Sequence, residues 1–68
     1  MSDSMKELDA LLGYLIGHNK DHAEEITELA EKALALGKTR THSELLAGVR
    51  AMNESTEHLE AALKELRG

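Results

Sequence analysis

The sequence predicts an all-α fold, in which two helices pack as an antiparallel hairpin. Leu and Ala supply most of the apolar residues, proline is absent and Tyr14 is the single aromatic residue; this composition favours helix. Apolar residues recur at alternating spacings of three and four in two long segments, which is the period of a helix. We predict helices over about 5–36 and 42–67 in one domain, 1–68, with residues 1–4 frayed.

The first predicted helix begins at Met5, because Ser4 and Glu7 have the spacing of a capping box. Gly17 weakens this helix, and Asn19 offers a new N-cap, so a three-helix bundle with a break near Gly17 is the alternative. A continuous helix is favoured, because its predicted contact row keeps phase across Gly17. That row is Met5, Leu8, Leu12, Leu15, Asn19, His22, Ile26, Leu29, Ala33 and Leu36.

Gly37 is predicted to end the first helix, since glycine is favoured at the C′ position. A loop over about 37–41 is short enough to make the two helices antiparallel neighbours. Thr41 and Glu44 repeat the capping-box spacing at the start of the second helix. Its predicted contact row faces the first helix so that His22 lies opposite Thr56. The row comprises Leu45, Val49, Met52, Thr56, Leu59, Leu63 and Leu66.

A second protein surface is expected to cover part of this hairpin. A chain of 68 residues has a small core, and without cysteines no disulfide supports it. Two helices touching along one row also leave apolar side chains in water. We therefore predict a homodimer that forms a four-helix bundle, or docking on a larger protein partner. The predicted interface residues are Leu8, Leu11, Leu12, Leu15, Ile16, Leu34 and Leu46.

The charge and the motifs exclude several classes of function. A formal net charge of −5 argues against nucleic acid and anionic membranes as partners, because both select basic surfaces. No uncharged stretch is long enough to span a bilayer, so a cytoplasmic protein is expected. There is no glycine-rich phosphate loop and no cysteine nucleophile. The sequence therefore predicts a helical interaction or oligomerisation module that is not an enzyme.

The histidines offer an alternative function. His18 and His22 are four residues apart and share one helix face, and the antiparallel register puts His58 about one turn from both. Three imidazoles suit Ni, Zn or Cu, and a flanking carboxylate could come from Asp21, Glu25, Glu54 or Glu57. This set predicts a metal-binding accessory or metal-handling protein. In the simpler interpretation, His22 and Asn19 are polar residues that fix the register, while His18 and His58 are solvated.

The segment from His18 to Glu24 has the pattern His-Asn-x-x-His-Ala-Glu. It resembles the hallmark of a small uncharacterised helical-hairpin domain of bacteria and archaea. That domain occurs alone or beside the nickel-binding accessory proteins of carbon monoxide dehydrogenase maturation, and the resemblance covers about residues 8–66. It implies that His18, Asn19 and His22 are signature positions and that nickel is the first metal to test.

Overall fold

The computed structural model describes residues 2–68 as two long helices, α1 (Asp3–Ala35) and α2 (Thr39–Arg67), packed against each other. The predicted all-α hairpin is confirmed, and residues 2–68 contain no strand. Because α1 runs without interruption through Gly17, the three-helix alternative is wrong. The Cα atoms extend over 52 × 14 × 11 Å. Met1, in the segment predicted to be frayed, lies outside the described residues.

The N-cap of α1 is Ser2, two residues before the predicted Ser4. Its backbone is extended, and its side chain accepts a hydrogen bond from the Met5 amide at 3.2 Å. Met5 is the third residue of the helix, and the amide at this position is one that an N-cap hydroxyl can reach. Asp3 in the first turn adds a negative charge at the positive end of the helix dipole. The predicted capping box is therefore wrong, because Ser4 lies inside the first turn.

Gly37 ends α1 as predicted, with a positive φ of 75°. The Gly37 amide donates to the Leu34 carbonyl at 3.0 Å and the Lys38 amide to the Ala33 carbonyl at 2.8 Å, which is the Schellman pattern. The helix α2 starts directly afterwards, at Thr39, with no side-chain cap. The connection is thus shorter than the predicted loop over 37–41, and the second predicted capping box, at Thr41, is also wrong.

The contact row of α2 is confirmed, but that of α1 is rotated from the prediction. Thr56 is buried, and Val49, Met52 and Leu59 are half-buried. On α1, the predicted positions 8, 15 and 29 are exposed, and each following residue lies in the contact instead. The buried alanines of this row, Ala23, Ala30 and Ala33, let the helices approach closely. The observed α1 row, called the seam below, is Asp9, Leu12, Ile16, Asn19, Ala23, Ile26, Ala30 and Ala33.

Three polar contacts fix the register of the hairpin. Arg67 donates to both carboxylate oxygens of Asp9, at 2.8 and 3.0 Å. Lys20 lies 3.7 Å from Glu60. Near the connection, the Nδ1–H of His42 donates to the Ala30 carbonyl at 2.8 Å. The ends and the middle of the hairpin are therefore tied in a register close to the predicted one. Within residues 2–68, neither helix has an apolar stretch long enough to cross a membrane.

Candidate functional site

The middle of α1 carries a chain of three hydrogen-bonded side chains. The Nε2 atoms of His18 and His22 are 2.9 Å apart, and the Nδ1 atom of His22 lies 3.1 Å from a carboxylate oxygen of Glu25. A carboxylate only accepts, so His22 donates through Nδ1–H. In neutral His22, Nε2 is then the acceptor, and the Nε2–H of His18 donates to it. Helical spacings of four and three bring these side chains together.

Tyr14 orients the outer histidine of this chain. Its ring stacks on His18 with centroids 5.6 Å apart and an angle of 19° between the planes. The His18 and His22 rings meet edge to face, at 4.2 Å and 81°. About 43% of the His22 side chain and 66% of that of Glu25 are exposed. The pair is thus held by side chains of its own helix and remains accessible to a ligand.

The separation of the two histidine Nε2 atoms is compatible with two ligands of one ion. Imidazole nitrogens bind zinc at 2.0–2.1 Å, so two of them at an angle of 90–110° lie about 2.9–3.4 Å apart. The observed separation of 2.9 Å falls within this range. Metal-bound histidines commonly donate their other N–H to a carboxylate, as His22 does to Glu25. To bind an ion through Nε2, neutral His18 would carry its proton on Nδ1 instead.

The third predicted ligand, His58, does not join the pair within one chain. Across residues 2–68, no three His, Cys, Asp or Glu side chains are grouped so that they could hold a metal ion. Glu25 approaches His22 from Nδ1, on the side away from His18. His58 is exposed and lies two residues beyond the buried Thr56. Thr56, predicted to face His22, is buried and donates to the Met52 carbonyl of its own helix, at 3.0 Å.

The histidine pair interrupts an apolar row on the surface of α1, which we call the leucine face. Leu8, Leu11, Leu15 and Leu29 are 48%, 60%, 43% and 50% exposed. Together with His18, His22 and Glu25 they repeat at spacings of three and four, so they share one face. Each residue of this face directly precedes a seam residue, so the face lies about 100° around α1 from the seam. It therefore points to the side of the hairpin rather than to α2.

The two sides of the hairpin differ in character. One side of the hairpin carries the ion pairs. It is formed by residues that directly follow half-buried contact positions of either helix, such as Lys20 on α1 and Glu60 and Arg67 on α2. The leucine face flanks the opposite side, where α2 presents small or polar side chains. This row of α2, called the small-residue row, is Gly48, Ala51, Ser55, His58 and Ala62, all of them exposed.

Residues 8–66 match the family described as DUF8180, a domain of unknown function. The chain belongs to this family. The matched segment contains both helices and the whole hydrogen-bonded chain from His18 to Glu25, so the DUF8180 domain is this hairpin. No curated protein and no solved structure matches the chain. The family description names no activity, ligand or partner.

The predicted interface residues fall in three environments. Leu8, Leu11, Leu15 and Leu34 are exposed, Leu12 and Leu46 are half-buried, and Ile16 is buried in the seam rather than beside it.

Sequence reasoning missed the contacts of Asp9 and His42. Asp9 lies in the contact between the helices, where Leu8 was predicted. Its pairing with Arg67 explains this position. His42 donates to the Ala30 carbonyl, and no sequence pattern indicates this contact.

Proposed function

We propose that the protein is a cytoplasmic self-association module without catalytic activity, whose leucine face packs against a second copy. The exposed leucines of α1 are the observation that carries this proposal. Four of them lie on one side of a single helix, and each exposes between 43% and 60% of its surface. Several large apolar side chains exposed on one face of a small domain are typical of a protein interface.

The weak core of the single hairpin supports the proposal. Its buried apolar residues are Ile16, Ala23, Ala30 and Ala33, and no large side chain within residues 2–68 is fully buried. Small domains without disulfides need additional support, and oligomerisation is a common source of it. In a four-helix bundle each helix contacts two neighbours, so α1 would use the seam for one and the leucine face for the other.

Sedimentation equilibrium tests the proposal on the parent chain, Leu29→Gln and Leu34→Gln. Both leucines are 50% exposed and lie on the same helix, but only Leu29 belongs to the leucine face. Burying the exposed half of a leucine is worth about 1 kcal/mol. Because a dimer contains two copies, Leu29→Gln should raise the dissociation constant roughly 30-fold. Leu34→Gln should leave it unchanged. A monomeric parent, or dissociation only by Leu34→Gln, would contradict the proposal.

Metal binding is the second candidate function, and the His18–His22–Glu25 geometry favours it. The two Nε2 atoms are already at a ligand separation, and the Glu25 carboxylate holds His22 by its other nitrogen. Zn²⁺ and Ni²⁺ both suit imidazole ligands. The association with nickel proteins of carbon monoxide dehydrogenase maturation, implied by the His-Asn-x-x-His-Ala-Glu pattern, makes a nickel-handling role the first specific form of this candidate.

Isothermal titration with Ni²⁺ and Zn²⁺ tests the metal candidate on the parent chain, His22→Ala and Glu25→Gln. His22→Ala removes a ligand and should abolish specific binding. Glu25→Gln keeps the shape but weakens the hydrogen bond to His22, so the affinity should fall about 10-fold or more. Glu24→Gln is the matched control, because its neighbouring carboxylate makes no described contact with the histidines. Equal binding by the parent and His22→Ala would refute the candidate.

A further inference from the structure

The side of the hairpin that carries the leucine face combines large side chains on α1 with small ones on α2. Leu15 and Leu29 stand on one helix, and Gly48, Ser55 and Ala62 stand on the other, all of them exposed. Facing positions that alternate large and small residues interdigitate best. A surface with this division is complementary to a copy of itself when the leucines of each copy lie over the small-residue row of the other.

The same side carries all three predicted metal ligands. His18 and His22 interrupt the leucine face, and His58 interrupts the small-residue row. The ion pair between Lys20 and Glu60 places residue 60 of α2 beside residue 20 of α1. His58 therefore lies at the height of the histidine pair along the hairpin, although it belongs to the other helix.

We propose that two copies of the chain stack by a two-fold axis parallel to the helices, and that His58 of each copy completes a divalent-metal site with His18 and His22 of the other. This inference rests on the proposed self-association. The axis preserves height along the hairpin and places α1 of one copy over α2 of the other. Leu15 and Leu29 of one copy then lie over the small-residue row of the other, and each histidine pair meets the third histidine of the second copy.

The dimensions of the hairpin suit this arrangement. A face with the Cα extents of 52 × 14 Å covers about 700 Å² in each copy, or about 1,400 Å² in total, which lies within the range of specific interfaces. Pairing of the two α1 helices alone would cover a strip only about 10 Å wide and bury less. The second copy, stacked over both helices, is the occupant that the area favours.

Three neutral imidazoles with a fourth position open to water suit a late first-row divalent ion such as Zn²⁺ or Ni²⁺. The Glu25 carboxylate remains on Nδ1 of His22 and keeps Nε2 free to bind the ion. The two-fold axis generates two such sites in each dimer, which is one ion per chain. A metal ion that bridges the copies would also tighten the dimer, because it binds the associated form preferentially.

A mixing experiment tests this assignment. One variant, His18→Ala/His22→Ala, lacks the pair, and the other, His58→Ala, lacks the third ligand. Each alone should bind Zn²⁺ at least tenfold more weakly than the parent. A mixed dimer, however, contains one intact site, made from the pair of one chain and His58 of the other. Equimolar mixing should therefore restore parent-like affinity in titration calorimetry, with at most one strong site for every two chains, and His42→Ala serves as a histidine control.

The outcomes separate the two proposals. Restoration on mixing supports the shared site, as does one strongly bound ion per chain in the parent. A parent dimer in sedimentation without restoration overturns the shared site but leaves self-association intact. Half an ion per chain, with His58→Ala binding like the parent, overturns it too and points to pairing of the α1 helices. A parent that stays monomeric with and without Zn²⁺ overturns both proposals. Circular dichroism of each variant checks that the helices are retained.

Discussion

Substitution of Ala30 by leucine tests which row of α1 faces α2. Ala30 has no exposed surface, so three added carbon atoms have no space unless the helices move apart. Overpacking of this kind costs about 1–3 kcal/mol. For a domain of this size each kcal/mol lowers the melting temperature by about 4–8 °C. We therefore expect Ala30→Leu to lower it by roughly 10 °C.

The assay is thermal unfolding followed by circular dichroism, at one fixed chain concentration so that association contributes equally. Ala47→Leu is the matched control, because Ala47 is exposed on α2 and leucine is nearly as good a helix former as alanine. It should melt within about 2 °C of the parent. If α1 instead used the row through Leu29, position 30 would lie beside the contact. Ala30→Leu would then be neutral or stabilising, and that result would refute the observed seam.

Four further predictions concern the backbone and the polar contacts. Gly17→Ala should raise the free energy of unfolding by up to about 1 kcal/mol, since a Cβ there meets nothing within 4 Å. Gly37→Ala should lower the free energy of unfolding, because φ at this residue is 75°. Urea unfolding measures both changes. The hydrogen bond from Arg67, reinforced by its charge, holds the pKa of Asp9 below its ordinary value of 3.8, so this contact stabilises the fold above that value and is lost as the pH falls through the lowered pKa. Asp9→Asn should therefore be less stable than the parent near pH 7 and equal to it in strong acid, and a constant difference across urea titrations would contradict this. His42→Ala should cost about 1 kcal/mol, because it removes a cross-helix hydrogen bond, and unchanged melting would show that the bond contributes nothing.

The hairpin itself was predictable, because its signals are local. Gly37 at the end of α1 is favoured by its free access to positive φ, and the apolar period of α2 identifies one contact row only. Helix starts were less predictable. Ser2 and Ser4 both precede helical sequence, and either could be the N-cap. The N-cap is the serine whose backbone is extended, and residue types alone do not determine which one that is.

The candidate site was predictable in part for the same reason. His18, His22 and Glu25 meet through spacings within one helix, so their contacts follow from the sequence. The position of His58 relative to them depends on how α1 is rotated about its own axis. A rotation by one residue, about 100°, changes which side chains face α2. Contacts between helices therefore could not be predicted as securely as contacts within one.

The wrong rotation of α1 and the proposed self-association have a common origin. Leu12, Ile26 and Ala33 belong to both possible contact rows of α1, the predicted one and the observed one. Pattern reasoning completed the contact row with leucines, because large side chains usually fill a core. The hairpin completes it with Asp9, Ile16, Ala23 and Ala30 and leaves the leucines exposed. A helix with one partner has no use for the extra row, whereas a helix with two partners needs both. The row that made the sequence ambiguous is therefore the one that we expect a second copy to cover.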